Sequence, residues 1–564
     1  MKSKRRFVVF LVILMTVLVH PLKAQDLSNA KEVDPFTMNG SIGLNTSFYN
    51  ASGGIPDRQA PLAFGLNAMA TISAYGINMP FSFTWYNNNK AGFRHPFNQF
   101  GISPTYKWLT VHLGYRNMSF SEFTLNGFTF LGAGVEARPG KFRLGAVYGK
   151  FNQNSAYDLA MADSIPKLTR TGWATKLGYG TDDRFVDVSL LRIGDNPKNY
   201  VDSLAHYGQA TPAQNLAIGL TSSFKITPKL FFNFDGSMSF FTNNRLLEES
   251  DSIANGKLRF ASNFITVNNT SEYHKALKTG FSYRFTPTLV SGFEYRRVDP
   301  GFQSMGSYFF NNDLEMYTFN QTASFLQNKI NTRGSIGFQR DNLNGMKAKS
   351  AKRTIGSLSG NYAINQAWAV DALYSNFSTN QKAIRSVTND SLKISQVNHN
   401  LSLMPRFTKL SETSSQMVML NLNWMKLNDK NKLTKDQSNT DTFMAMLMYN
   451  VGLLKSKLNI SAGLNSTKMV NMNYNNQLRG GNLNLAKSLL QDKLSMSWNN
   501  AFMFNKINSE NGTIFNTGIN ANYSFKSQQA VTININFINN SFGDSVIVPS
   551  FKEIRGDIGY VYSF

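Results

Sequence analysis

Residues 36–49 read FTMNGSIGLNTSFY, and this stretch decides the fold. Its even positions, which include Phe36, Ile42, Leu44 and Phe48, are mostly apolar, whereas its odd positions carry Thr, Asn, Ser, Gly and Tyr. Successive side chains of a β-strand point to opposite faces, so this segment has one apolar and one polar face. Such a strand suits a membrane barrel, in which one face meets lipid and the other meets a watery lumen.

The same alternation recurs along the whole chain. It predicts an all-β fold: a single large antiparallel transmembrane up-and-down β-barrel of about 26 strands, an even number within the bacterial range. A soluble β-propeller would instead show a repeated motif at a fixed period, and the sequence has none. The predicted strands are 36–49, 63–75, 77–87, 98–105, 108–116, 126–138, 141–152, 168–179, 185–194, 214–226, 229–241, 271–285, 288–298, 313–326, 329–341, 353–364, 367–377, 395–408, 415–427, 439–451, 457–468, 481–490, 493–505, 513–525, 529–540 and 553–564.

The predicted connections alternate between short turns, such as 138–141 and 180–183, and long loops, such as 153–167 and 242–270. In outer-membrane barrels the turns are periplasmic and the long loops are extracellular. We therefore expect a strict alternation without exception, with both ends of the barrel domain in the periplasm.

Both ends of the chain carry features of an exported barrel. Basic residues followed by an apolar run from Phe7 to Val19 predict a signal peptide over 1–24, a short periplasmic tail over 25–35 and the barrel over 36–564. The last strand resembles the terminal signal that barrel-assembly machinery recognises. Its apolar face ends with Tyr560, Tyr562 and Phe564.

Composition limits the possible chemistry. The chain has no cysteine, which excludes disulfides, thiolate catalysis and lipidation of an N-terminal cysteine. Its formal net charge is +23, but an exported chain without a nucleic-acid-binding motif is not expected to bind nucleic acid. Anionic lipid head groups or anionic solutes are the expected partners of this charge.

Several tracts resemble the opening hairpins of exported β-barrel proteins of the Bacteroidota. They are GINMPFSF at 76–83, FNQFG at 97–101, HLGYRNM at 112–118 and TFLGAG at 129–134. The resemblance implies a porin-like barrel in the outer membrane of a Gram-negative bacterium, and it brings no functional residues with it. TonB-dependent receptors of those bacteria have a plug domain before the barrel, and 25–35 is too short for one.

Charged residues at polar positions of the predicted strands are candidates for the lumen. Glu136 and Arg143 are expected to lie opposite each other across a hairpin. Ion pairs that hold the strand register are the simpler interpretation, and contact with solute is the alternative, in which case the excess of Arg and Lys favours anions. The full set is Glu136, Arg143, Lys176, Asp187, Lys278, Arg284, Glu294, Arg296, Arg333, Asp371, Arg406, Arg555 and Asp557.

Six methionines fall at inward positions of two neighbouring strands: Met417, Met419, Met425, Met444, Met446 and Met448. Flexible thioether side chains on a watery wall suggest an apolar contact. A loop folded into the lumen is the plain interpretation, and a path for hydrophobic solutes or soft metals is the alternative. The loop 242–270 is the candidate for narrowing the lumen, although an external lid fits its sequence equally well.

Catalytic and cofactor sites are not predicted. His112 is the one histidine that clearly faces inward on a predicted strand, and no serine or acid stands near it in sequence. Phosphate-binding loops, zinc clusters and dinucleotide fingerprints are absent, so no cofactor and no enzymatic activity are expected.

Two functions remain. The leading hypothesis is a loop-narrowed channel for small polar or anionic solutes. The alternative is a non-enzymatic interaction barrel that docks a surface lipoprotein or serves an assembly or secretion complex. Both predict outer-membrane lipid, and the barrel-assembly machinery during biogenesis, as partners.

Overall fold

The computed structural model describes residues 36–87, 99–151, 169–196, 211–254, 256, 258–307, 311–347, 349–383, 395–543 and 549–564. The predicted signal peptide and N-terminal tail lie outside these residues. The described part is almost entirely β-structure, with two four-residue helices, α1 (Asp251–Ala254) and α2 (Lys435–Ser438). None of the helices in this part of the chain is long and apolar enough to cross a membrane.

The strands are β1 (Phe36–Gly53), β2 (Leu62–Ala74), β3 (Ile77–Tyr86), β4 (Gln99–Ile102), β5 (Thr105–Tyr106), β6 (Leu109–Ser119), β7 (Asn126–Ala137), β8 (Phe142–Lys150), β9 (Arg170–Gly180), β10 (Arg184–Asp195), β11 (Gln214–Lys225), β12 (Leu230–Thr242), β13 (Ser271–Thr286), β14 (Leu289–Val298), β15 (Leu314–Phe325), β16 (Ile330–Arg340), β17 (Lys349–Ala363), β18 (Trp368–Ala383), β19 (Ser395–Leu410), β20 (Ser414–Asp429), β21 (Thr440–Leu453), β22 (Leu458–Val470), β23 (Asn475–Leu489), β24 (Leu494–Ile507), β25 (Glu510–Lys526), β26 (Gln529–Phe542) and β27 (Phe551–Ser563).

Apart from β4 and β5, which do not pair with each other, neighbouring strands in the sequence pair antiparallel. The ring closes between β1 and β27, from Ser41 opposite Ser563 to Gly53 opposite Phe551. β4 and β5 both lie between β3 and β6, so the 27 segments form a closed barrel of 26 strands. Closure leaves no unpaired sheet edge.

The predicted fold class and strand number are therefore confirmed. One predicted strand, 98–105, is interrupted at Pro104, which has no N–H to donate to the ladder. β23 begins at Asn475, earlier than predicted, so the connections at 471–474 and 508–509 are short although they lie at the end of the barrel with the long loops. The expected strict alternation of short and long connections is wrong at these two places, because polar residues extend the strands beyond their alternating part.

The outer face of the barrel is apolar. Leu44, Leu464 and Phe502 are exposed by 54%, 66% and 44%, and the strand registers place them opposite the apolar residues Leu66, Leu447 and Phe515. The opposite face carries mainly Asn, Ser, Thr and charged residues on the later strands. Such a large exposed apolar surface needs a nonaqueous neighbour.

Two connections from the loop end enter the barrel. We call residues 119–125 and 299–307 the inner segments. Phe123 is fully buried and its ring packs edge-on against Phe302, with ring centres 5.9 Å apart. Ser304 donates a hydrogen bond to the carbonyl oxygen of Thr124 at 2.7 Å, which ties one inner segment to the other.

The inner segments give the first half of the barrel its own core. Three apolar side chains of the wall point inward, although most apolar residues of the strands point outward: Phe128, Phe130 and Leu191. They do so because they pack with Leu125 and Met305 of the inner segments. The lumen is thus filled beside β6–β15. No described residue forms a comparable buried apolar cluster beside β16–β27.

Candidate functional site in the lumen

Glu136 and Arg143 both face the lumen, but they do not pair with each other as predicted. Glu136 lies opposite Gly145, and its carboxylate is 3.3 Å from Nε2 of His112. The buried Arg143 donates from Nε to Asp187 at 2.9 Å. The predicted pairing across the hairpin is wrong, because the register places Gly145 and not Arg143 opposite Glu136.

Lys176 also faces inward, where its ammonium lies 5.1 Å from the ring centre of Phe120 on an inner segment. A similar contact occurs nearer the turn end of the barrel, where the guanidinium of Arg284 lies 5.8 Å from the ring centre of Phe231. Both predicted cations thus lie near aromatic rings, although Arg284 stays exposed.

The predicted residues Lys278, Glu294 and Arg296 surround a residue that the sequence did not single out. Glu122 of the first inner segment accepts from Arg296 at 2.6 Å and from Lys278 at 3.3 Å. Lys278 is also 3.8 Å from Glu294. This ionic cluster fastens the inner segment to β13 and β14.

Asp235 on β12 strengthens the same attachment. Its carboxylate accepts from the Ser121 hydroxyl at 2.6 Å and from the backbone N–H of Glu122 at 2.9 Å. The sequence signal for these contacts was the apolar pattern Phe120, Phe123 and Leu125 in a connecting segment, where polar residues are the rule.

His112 does have the neighbours that sequence spacing failed to reveal. Its Nδ1 lies 3.0 Å from Oγ of Ser103, while Glu136 contacts the other ring nitrogen. Arg116 donates to the same Ser103 oxygen at 2.8 Å and to Ser82 at 2.7 Å. The cluster therefore holds together the interrupted strand and its two neighbours.

On the later strands, inward-facing charges are fewer. Asp371 of β18 is 3.5 Å from the guanidinium of Arg406 on β19. Arg333 faces the lumen on β16 and forms no ion pair with the described residues. Arg555 and Asp557 lie at inward positions of β27, on the same face as the buried Glu553.

All six predicted methionines point into the lumen. Met419 pairs directly across the strands with Met448, and the register adds two further inward methionines, Met404 and Met469. Met425 is 39% exposed, and none of the eight belongs to a buried apolar cluster of the described residues. The infolded loop expected on this patch is not among those residues.

Amide side chains dominate the inner wall of β19–β26, which we call the asparagine wall. Neighbouring amides bond across strands, as Asn423 does to Asn400 at 2.9 Å. Apart from Arg406, charged residues at inward positions of these strands lie only at strand ends. The wall comprises Asn398, Asn400, Asn421, Asn423, Asn450, Asn459, Asn465, Asn476, Asn482, Asn484, Asn499, Asn505, Asn516, Asn520, Asn522, Asn534, Asn536 and Asn540.

The loop between β12 and β13 lies outside the barrel, not in the lumen. Its residues Leu258 and Ile265 pack on the outward-facing Leu216 and Phe240. Arg192, also outward, donates to the carbonyl oxygen of Phe264 at 3.3 Å. The inner segments, and not residues 242–270, therefore narrow the lumen.

No group of three or more His, Asp or Glu side chains in the described part of the chain is arranged to hold a metal ion. The inner wall instead offers neutral hydrogen-bonding groups, a few paired charges and thioethers. Such a surface suits passage or weak binding of polar molecules.

No known family matches the chain, and no curated protein sequence matches it. Solved structures match at low similarity. OpdK of Pseudomonas aeruginosa with vanillate is 10% identical, with a TM-score of 0.30, 68% of this chain covered and 99% of that chain. The FrpB iron transporter of Neisseria meningitidis has 10% identity, a TM-score of 0.35 and coverages of 95% and 83%. The P pilus usher PapC translocation pore has 10% identity, a TM-score of 0.39 and coverages of 93% and 99%. Likeness at this level carries no argument about function.

Proposed function

We propose that the chain is an outer-membrane channel, narrowed by its two inner segments, through which small polar solutes diffuse. The observation that carries the proposal is the asymmetry of the lumen. The inner segments cover the wall of β6–β15, while the asparagine wall on β19–β26 carries polar side chains over which the described residues form no buried apolar cluster.

The apolar outer face supports the membrane location. Closed barrels satisfy all backbone hydrogen bonds between strands, which is the requirement for crossing lipid without helices. The direction follows from the connections: short turns and the end of β27 lie at one end of the barrel, which we assign to the periplasm.

Narrowing is needed because barrels of about 22 strands are already plugged in known transporters. Here the inner segments occupy part of the lumen and are fixed by Glu122, Asp235 and the buried Phe123. These contacts are made at mid-strand positions of β12–β14, so the segments reach well inside the barrel.

The preference for anions that the sequence suggested has limited support. Arg143, Arg296 and Arg406 each lie beside an acid, which offsets their charge. Arg333 is left as an inward cation without an ion pair to the described residues. Small polar solutes are therefore the class that we propose, with charge preference as a separate question.

Planar-bilayer recording with the purified full chain tests the proposal. We expect stepwise ionic conductance at low voltage after insertion of the folded protein. Folding is checked by the heat-dependent mobility shift that barrels show on gels. A folded and inserted barrel that stays silent across a range of voltages would overturn the channel.

The alternative, an interaction barrel that docks a surface lipoprotein or an assembly or secretion complex, is favoured by one surface. The loop that packs outside the barrel leaves Leu246, Leu247 and Phe260 exposed by 46–51%. Gentle detergent extraction and affinity purification from the native membrane should then yield a stoichiometric complex that substitution of these three residues by Ser disrupts. Recovery of a lone monomer would contradict this alternative.

We also propose that the C-terminal strand is the part that assembly machinery reads. Tyr560 and Tyr562 face outward, and the backbone of Phe564 exchanges hydrogen bonds with Gly40 at 2.9 and 3.0 Å. Deletion of Phe564 should lower the amount of folded barrel in the outer membrane. An unchanged amount would remove the support for this role.

A further inference from the structure

A groove of about 520 Å³ lies on the lumenal side of β15–β19, at the turn end of the barrel. Two adjacent rows of inward side chains form its floor. One row runs Asn331, Asn361, Asp371 and Met404, and the next runs Arg333, Ser359, Leu373 and Ser402. Its volume lies within the range of about 300–1,000 Å³ for small-molecule sites.

The groove combines planar polar groups with an apolar surface. Asn361 donates to Asp371 at 2.5 Å, which fixes both side chains and leaves further acceptor and donor positions facing the lumen. Leu373 is 39% exposed although it points inward, and Met404 lies beside Asp371 across the strands. Leu373 and Met404 thus give the groove an apolar surface next to the amides and the carboxylate.

The groove has two cations and one carboxylate, so one positive charge is left unpaired among the described residues. Asp371 lies 3.5 Å from Arg406, and Arg333 stands one row away. Apart from Arg333, the polar groups of the floor either form the Asp371–Arg406 ion pair or are neutral amides and hydroxyls, which both donate and accept hydrogen bonds. Most of the floor thus matches an uncharged ligand that carries hydroxyl groups.

We propose that this groove binds a neutral polyhydroxylated solute of the saccharide type on its way through the channel. A sugar ring carries hydroxyl groups at its edge, which both donate and accept hydrogen bonds, and C–H groups on its faces. The amide, carboxylate and guanidinium groups match the edge, while Leu373 and Met404 match a face. The inference rests on the proposed channel, because the groove is reached from the lumen.

The test uses a linear glucose trisaccharide and, as its matched control, the same trisaccharide oxidised at its reducing end to a carboxylate. Added to the full-length channel in a planar bilayer, the neutral form should block ionic current at a concentration no higher than the acid, whose oxidised unit is no longer a ring. Asn361→Leu should raise the blocking concentration of the neutral form about tenfold, a loss of about 1.4 kcal/mol. Asn45→Leu, which removes an inward amide of β1 outside both the groove and the asparagine wall, should leave it unchanged.

A second variant tests the same proposal if Asn361→Leu fails to fold. Asp371→Asn preserves shape and should improve block by the acid, since Arg333 and Arg406 then act unopposed. Calorimetric titration of the solubilised barrel with the trisaccharide reads binding without conduction. If the barrel conducts but the saccharide neither blocks nor binds, or if the acid is the better ligand of the unsubstituted protein, the groove proposal is overturned and the channel proposal is not. If the saccharide binds to a barrel that does not conduct, the channel proposal is overturned and the groove proposal is not.

Discussion

The inner wall of the barrel differs between its two halves. On β6–β15 the inner wall is partly apolar, carries ion pairs and is covered by the inner segments. On β16–β27 it is mainly neutral and polar, with methionines in place of buried aromatics. The difference shows that strand periodicity sets which side chains point inward, while the occupant of the lumen decides which residue types are stable there.

The largest expected effect comes from removing an aromatic anchor in the filled half. Phe123→Ala leaves a cavity against Phe302, and such substitutions in a core cost about 3–5 kcal/mol. We expect hydrogen exchange of 119–125 and 299–307 to become much faster while the barrel stays folded on gels.

Met446→Ala is the matched control for Phe123→Ala in the other half. This side chain is only partly buried, so we expect a change of about 0.5 kcal/mol in stability. Equal effects of the two substitutions would show that the halves are packed alike, and the comparison between them would break.

A disulfide tests whether the filled half moves during conduction. The hydroxyls of Thr124 and Ser189 are 3.1 Å apart, and the chain has no other cysteine to interfere with Thr124→Cys combined with Ser189→Cys. If slow current fluctuations arise from the inner segment, oxidation should suppress them and dithiothreitol should restore them. Fluctuations that persist in the oxidised protein would locate them elsewhere, for instance in the outer loops.

Charge substitutions sharpen the comparison further. Asp371→Asn frees Arg406 beside the less covered wall, whereas Glu122→Gln frees Lys278 and Arg296 beneath an inner segment. In a KCl gradient we expect both to shift the reversal potential toward anion selectivity, and Asp371→Asn to shift it more. A larger shift from Glu122→Gln would mean that ions pass along the filled half.

Most of the fold could be predicted from the sequence because the two-residue period of residues such as Phe36 to Phe48 recurs in most strands. The inner segments could not be predicted, since the partners of Glu122 lie far away in sequence on β13 and β14. Inward parity placed Glu136 and Arg143 correctly, but parity alone does not give the register that chooses their partners.

The position of the outer loop escaped prediction for a related reason. Leu216 and Phe240 have the parity of lipid-facing residues, and the sequence cannot distinguish lipid from the apolar residues of the loop that covers them. The asparagine wall was visible as polar positions, yet its significance depends on the absence of a covering cluster over those strands in the described residues.

The smallest expected effect concerns acid, at the loop that carries the second inner segment. Asp313 is buried and bonded to Lys347; burial raises the pKa of its carboxyl, but the bonds from Lys347 and from the backbone N–H of Leu343 outweigh it and leave this pKa below the usual value. A depressed pKa stabilises the fold above the unfolded value of about 3.9 and ceases to do so as pH falls through the folded value. The heat-dependent gel shift should therefore be constant from neutral pH down to about pH 5 and decline only in stronger acid. Asp313→Asn should flatten that acid-dependent part, and a decline of equal size in the variant would assign it to other carboxylates.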